Sequence, residues 1–304
     1  MRYRYFICDV FTRQRFGGNQ LAVLPEAQGL DAAKMQAIAR EFNFSESSFV
    51  FPPEQGLTRR VRIFTPTAEV PFAGHPNIGT AFALAQDGVF GPLRERTEVT
   101  FEEAAGPVPI VIRKENDGGL FCELEAPQVL SLGPRVSPEL AAAVLSLQVE
   151  DIVTSAHPPL LASVGLPFVV VQLRDRTALA RAAVDHARLP DLEALGVPPD
   201  LYIYSLSKDD PAPTDFDIHG RMFAPRDGLP EDPATGSANC ALAALRASLA
   251  PNAETAWHWR IAQGVDMGRP SELLARCARR LDGRIRTWIG GNSVLVSEGW
   301  IEID

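Results

Sequence analysis

The chain has 304 residues, enough for two domains whose cores need no disulfide or metal staple. Its 46% hydrophobic and 22% charged residues fit a folded globular protein and exclude a mainly disordered, fibrous or membrane-embedded chain. The 29 basic and 38 acidic residues leave a net charge of −9 with no Lys/Arg-rich block, so neither nucleic acid nor an anionic membrane surface is expected as a partner.

In chain order, Arg4–Val10 and Gln20–Leu24 read as strands joined through a turn at Gly17-Gly18-Asn19. Asp31–Phe42 reads as a helix with Asp31 as N-cap and Met35, Ile38, Ala39 and Phe42 at helical spacing. Ser48–Phe51 and Arg60–Phe64 return to strand composition, and Pro76–Ala85 predicts a helix with Ile78, Phe82 and Ala85 on one stripe. Val108, Ile110 and Ile112, the Asp117-Gly118 turn, and Leu120, Cys122 and Leu124 form a hairpin pattern. Ala126–Pro138, rich in Pro, Ser and Gly, is the expected linker. Beyond it come a helix near Glu139–Leu147 and strands near Phe168–Leu173, Tyr202–Ser205 and Phe216–Phe223. A helix follows over Ser237–Leu249, with Ala238, Leu242, Leu245 and Leu249 as its buried stripe. The tail from Trp257 to Asp304 reads as strands, with Gly290-Gly291-Asn292 as a hairpin turn. Many short strands with few helices predict an α+β protein.

An internal repeat organises these elements. Arg62-Ile63-Phe64-Thr65-Pro66 matches Arg221-Met222-Phe223-Ala224-Pro225 at Arg, Phe and Pro, and Gly74-His75-Pro76-Asn77 aligns with Gly236-Ser237-Ala238-Asn239. Each copy is a strand, a Pro-containing loop, a glycine and an Ala-rich helix. The expectation is two duplicated domains, residues 1–125 and 126–304, the last strand returning to the first domain, with the two loop-to-helix turns facing one cleft.

Three segments carry the candidate chemistry. In Phe72-Ala73-Gly74-His75-Pro76 the proline suits the first helical turn, and the free amides of a helix N-terminus form an anion site. His75 there either caps the helix or exchanges a proton with substrate. In Glu231-Asp232-Pro233-Ala234-Thr235-Gly236-Ser237 the side chain of Ser237, with the amides of Gly236 and Ser237, can hold a carboxylate. Asp232 can bind an ammonium group, move a proton or simply remain a solvated acid. In Asn43-Phe44-Ser45-Glu46-Ser47 the carboxylate of Glu46 is either a surface loop charge or, in a partly dry setting, a general acid/base.

Together these blocks resemble the PhzF family of isomerases. The resemblance rests on Asn43-x-Ser45-Glu46, Thr65-Pro66-x-x-Glu69-x-x-Phe72-Ala73-Gly74-His75-Pro76 and Glu231 through Ala238. Phe16-Gly17-Gly18-Asn19-Gln20-Leu21-Ala22-Val23 and Gln263-Gly264-x-x-Met267-Gly268-Arg269-Pro270-Ser271 complete it in order. It implies two domains like those of diaminopimelate epimerase, each a curved or barrel-like mixed sheet around a central helix, commonly in a homodimer. It also implies cofactor-independent isomerisation of a small cyclic amino or hydroxy carboxylate, as on trans-2,3-dihydro-3-hydroxyanthranilate. Glu46 matches the catalytic base, with His75 and Asp232 as further catalytic residues. Ser237, Gly74, Gly236, Asn19 and Ser45 match substrate-binding positions. Glu69 falls in a matched block as a residue orienting the first glycine turn.

The rival activity on this fold is racemisation or epimerisation, for which a pair of cysteines in the two glycine turns is the familiar solution. Ala73 precedes Gly74 here, and Asp232–Ala238 contains no cysteine. A non-catalytic small-molecule-binding homologue is the other alternative. No CxxC, dinucleotide or phosphate-loop motif occurs, and His157, His186, His219 and His258 lack metal-ligand spacing, so no metal and no cofactor is expected. His219 is expected to be a surface or satisfied histidine. Without a long apolar segment or cleavage-site pattern at its start, the chain is expected in the cytoplasm.

Overall fold

The computed structural model describes residues 1–210, 212, 214–226, 229–251 and 255–304. The chain divides into two compact units, Met1–Glu125 with Gly290–Asp304, and Ala126–Ile289. Unit 1 contains β1 Arg2–Val10, β2 Asn19–Leu24, α1 Ala32–Phe42, β3 Glu46–Phe51, β4 Arg59–Phe64, β5 Glu69–Val70, α2 Gly74–Gln86, β6 Arg96–Glu103, β7 Gly106–Lys114 and β8 Leu120–Glu125. Unit 2 contains β9 Ser131–Arg135, α3 Pro138–Val144, β10 Leu160–Ser163, β11 Pro167–Gln172, α4 Arg176–Arg181, α5 Leu189–Glu193, β12 Leu201–Leu206 and β13 Ile218–Ala224. It continues with β14 Leu229–Asp232, α6 Gly236–Leu249, β15 Ala256–Gln263 and β16 Ser271–Arg279; β17, Ile285–Glu302, runs from unit 2 into unit 1.

Unit 1 is a closed, mixed eight-stranded barrel. Its ring of pairings runs β1, β2, β3, β4, β6, β7, β8, β17 and back to β1, with β2–β3 and β4–β6 parallel and the rest antiparallel where register is defined. Closure leaves no free sheet edge in the ring. The helix α2 packs against β1, β2, β3, β7 and β8, and every residue from Gly74 to Ala85 is buried. The expected single stripe of Ile78, Phe82 and Ala85 is therefore too narrow. A helix inside a barrel is buried all round, and its Ala- and Gly-rich composition keeps it thin enough to fit. By contrast, α1 packs outside the sheet through Met35, Ile38 and Ala39, against Leu24, Phe49 and Phe64. Asp31 caps it, accepting from the Lys34 amide at 2.8 Å.

Unit 2 repeats this connectivity. The pairs β10–β11, β12–β13 and β15–β16 are antiparallel, while β11–β12 and β13–β15 are parallel. The short arm β14 folds back on β13 just as β5 folds back on β4. Even the ion pair of the matched arginines recurs. Arg62 holds Glu69 through two hydrogen bonds of 2.7 and 2.6 Å, and Arg221 holds Glu231 through two of 2.8 Å. α6 packs against β10, β11, β15 and β16, while α3, α4 and α5 contribute to a separate cluster with Val169, Val171 and Ile203.

Three further expectations need correction. The stretch Ala126–Pro138 is not only linker, because Ser131–Arg135 forms β9 and pairs with β10. Gly290-Gly291-Asn292 is not a hairpin turn but lies inside β17. There a Cβ on Gly290 would stand 2.5 Å from Phe121 Cζ and 2.8 Å from the Cys122 carbonyl oxygen, so the glycine permits close strand approach. The turn belongs to Asp282-Gly283, with the Gly283 amide bonded to the Arg280 carbonyl at 2.9 Å. Finally, Leu249 is 50% exposed: it ends α6 and lies off the buried stripe.

Candidate active site

In unit 1 the site follows from two parallel strands. β2 and β3 run the same way with Leu21 opposite Glu46, so Asn19 and Glu46, which open them, lie at one end of the barrel. His75, the second residue of α2, meets them there. Its Nδ1 is 3.5 Å from Glu46 Oε2 and 3.4 Å from Asn19 Nδ2, and Ser45 Oγ donates to Asn19 Oδ1 at 3.4 Å. Asn19, Ser45, Glu46 and His75, from three separate segments of the chain, thus form one cluster. Asn43 turns the chain out of α1 in the left-handed conformation and leads directly into it.

His75 does not cap its helix. The N-cap is Ala73, which makes no side-chain cap bond, and Asn77 Nδ2 instead returns to the Ala73 carbonyl at 3.0 Å. The His75 side chain is 4% exposed and that of Glu46 19%. Burial pushes the His75 imidazole down to about 3, with its contact to the Gln20 backbone offsetting only part of the effect. The ring is neutral at pH 7 and sets no full positive charge beside Glu46.

In unit 2 the equivalent turn is held far more tightly. Asp232 ends β14, is buried, and accepts from the Thr235 hydroxyl. Gln263, at the end of β15, clamps the loop from below. Its Nε2 donates to the Asp232 carbonyl at 2.8 Å and to Thr235 Oγ1 at 3.0 Å. Its Oε1 accepts from Asn239 Nδ2 at 2.7 Å and from the Thr235 amide at 3.2 Å. Asn239 Nδ2 also reaches the Thr235 carbonyl at 2.8 Å, repeating the Asn77 bond, and Asn239 Oδ1 accepts from Tyr202 at 2.6 Å. Ser271 Oγ donates to the Pro233 carbonyl at 2.8 Å. Gly264 has φ +71°, and a Cβ there would meet the Arg269 and Pro233 carbonyl oxygens at 2.5 and 2.6 Å. The late block Gln263–Ser271 is therefore the support of the Asp232–Gly236 turn. Gly236 and half-buried Ser237 begin α6, whose N-cap Thr235 makes no side-chain cap bond.

Sequence reasoning assigned no role to Gln263, Thr235, Asn77, Asn239 or Glu103. The matched asparagines of the repeat were the available signal for the first turn of each helix. His219 is a satisfied histidine, bonded to Arg176 Nη1 at 2.9 Å and Thr214 Oγ1 at 3.0 Å. All four cysteines are buried and unpaired with one another. Burial pushes the Cys8 and Cys122 thiols up to about 12 and Cys277 up to about 11. Among the described residues no group of three or more His, Cys, Asp or Glu could hold a metal ion, and no helix is long and apolar enough to cross a membrane.

The family profile described as "Phenazine biosynthesis-like protein" matches residues 8–299. An uncharacterized isomerase of Mesorhizobium japonicum is 36% identical, with 97% of each chain covered. The trans-2,3-dihydro-3-hydroxyanthranilate isomerase of Pseudomonas aeruginosa is 32% identical, with 98% of each covered. The crystal structure of a PhzF-family phenazine biosynthesis protein from Bacillus anthracis superposes with a TM-score of 0.89 at 26% identity, covering 100% of both chains. The chain accordingly belongs to the phenazine biosynthesis-like family, the PhzF isomerases.

Proposed function

We propose that the protein is a cofactor-independent isomerase that shifts a proton on a small cyclic amino or hydroxy carboxylate of the trans-2,3-dihydro-3-hydroxyanthranilate type. The observation that carries this reading is the half-buried Glu46 carboxylate beside a neutral, buried His75. Glu46 removes a proton from a C–H made acidic by a conjugated diene and carboxylate, then returns it to another carbon of the delocalised anion. His75, Asp232 and Ser237, with the helix amides at Gly74 and Gly236, hold the polar groups and stabilise the developing charge. Asn19 orients His75 from one side and is itself held by Ser45. In this proposal the enzyme works as a cytoplasmic homodimer.

The buried thiols support one-carboxylate chemistry over two-cysteine epimerisation, since thiols pushed up to about 11 or 12 offer no ready thiolate. The test offers the enzyme trans-2,3-dihydro-3-hydroxyanthranilate and, separately, chiral cyclic amino acids, with products read by NMR. A shifted double bond is expected from the first and no change from the second. Inversion of an α-carbon without a double-bond shift would overturn the proposal in favour of a racemase.

A further inference from the structure

The repeat pairs a glutamate in unit 1 with the glutamine that clamps unit 2. β6 lies parallel to β4 with Arg59 opposite Phe101, and β15 lies parallel to β13 with Ile218 opposite Ile261. Arg59 and Ile218 are equivalent in the Arg62/Arg221 alignment, so counting two residues on from Phe101 and Ile261 makes Glu103 the counterpart of Gln263. Each is the last residue of its strand. Each also neighbours the matched asparagine: Gln263 bonds Asn239, and the Asn77 side chain lies beside Glu103, offsetting only part of the effect of burial on its carboxyl. The turn after Glu103 is tied to the loop before Gly74, the Ala105 amide donating to the Pro71 carbonyl at 3.1 Å.

The polar atoms in unit 1 are left unmatched. Asn77 is fully buried, its Nδ2 is engaged with Ala73, and its Oδ1 has no partner. Both carboxyl oxygens of Glu103 are buried without a partner as well. A carboxylate has only acceptors to offer an amide oxygen, whereas a carboxylic acid offers one donor and one acceptor, the pattern of an amide.

We propose that Glu103 is a positioning residue which, as the neutral acid, donates its proton to Asn77 Oδ1 and fixes the Gly74–His75 turn, as Gln263 fixes the Asp232–Gly236 turn. The proposal rests on the assignment of that turn to the active site. Burial pushes the Glu103 carboxyl up to about 8, so the proton is present at pH 7 and lost above about 8. The titratable groups on the surrounding elements are otherwise engaged. His75 on α2 is held neutral, and Glu102 on β6 accepts from the amides of Glu54, Gln55 and Leu57. On β4, Arg60 pairs with Glu54 and Arg62 with Glu69, while Arg59 donates to the Thr58 carbonyl.

The test combines NMR of the Glu103 carboxyl and the His75 ring with kinetics of the full-length wild type, Glu103→Gln and Glu103→Ala. In the wild type both signals should titrate together near pH 8, and turnover should fall above that midpoint. Glu103→Gln should abolish the His75 step and the alkaline fall while keeping turnover at pH 7. Glu103→Ala should lower turnover about 10- to 100-fold, the scale of a misplaced catalytic group. An ionised Glu103 at pH 7, a His75 ring indifferent to its titration, or a folded Glu103→Gln as impaired as Glu103→Ala would each overturn the proposal. Absence of turnover in the wild type, with the shared NMR step intact, would instead overturn the functional reading and leave the positioning role supported.

Discussion

The two units build the same turn from the same topology and then finish it differently. In unit 2 an amide, Gln263, satisfies the loop with four hydrogen bonds, and Asp232 already accepts from Thr235. In unit 1 the position of Gln263 is taken by an acid, Glu103, and the turn lies beside a second acid, Glu46, and the buried His75. Proton transfer requires a group that substrate can reach, and the Glu46 side chain, 19% exposed and 3.5 Å from His75, is only partly buried. A holding site requires the reverse, polar groups fixed before substrate arrives. In the proposed function, Glu46 of unit 1 carries the proton transfer and Asp232 of unit 2 holds a polar group.

Substituting the two acids tests that division first. Glu46→Gln should lower kcat by about 10²–10⁴-fold, the range for loss of a general acid/base. Asp232→Asn should cost less in kcat and more in KM, measured by steady-state kinetics on the same substrate; equal kcat losses would erase the distinction.

The next effect is on stability. Gln263→Ala should strip partners from the Thr235 amide, the Asp232 carbonyl and Asn239 at once. At about 1–3 kcal/mol for each group left unsatisfied, thermal unfolding should show a Tm lower by many degrees. A Tm close to wild type would mean that the clamp is not what holds the loop.

The smallest effect is electrostatic. His75 is held down to about 3 in the folded chain against an ordinary value of about 6.5, so the unfolded chain binds the extra proton between those limits. Stability should therefore fall as pH drops from about 6.5 toward 3, and His75→Gln should flatten that fall in Tm measured against pH. An unchanged slope would show that the buried imidazole is not the group responsible.

Much of this contrast was legible in the sequence. The α+β class, the alternating hairpin of Val108–Leu124 and the capped helix at Asp31 are local patterns, and local chemistry fixes them. Of the candidate residues, Asn19, Ser45, Glu46 and His75 gather into one cluster, which the family blocks imply and no spacing could show. What escaped reading depends on closure of the barrel. The all-round burial of α2 and the use of Gly290 inside a strand follow from surfaces that meet only in the folded ring. Strand β6 was overlooked although Val99 and Phe101 alternate with polar residues, and Glu103 was overlooked with it. An acid at a strand end reads as a solvated charge until the register places it beside a buried asparagine.

The central claim is that proton transfer belongs to Glu46. It is tested most directly by following exchange of the substrate's acidic C–H with solvent deuterium during turnover, by NMR, in the wild type and in folded Glu46→Gln. The account predicts Glu46-dependent loss of that hydrogen in the wild type and a rate at least about 100-fold lower in the variant. Exchange at the wild-type rate by a folded Glu46→Gln enzyme would contradict it.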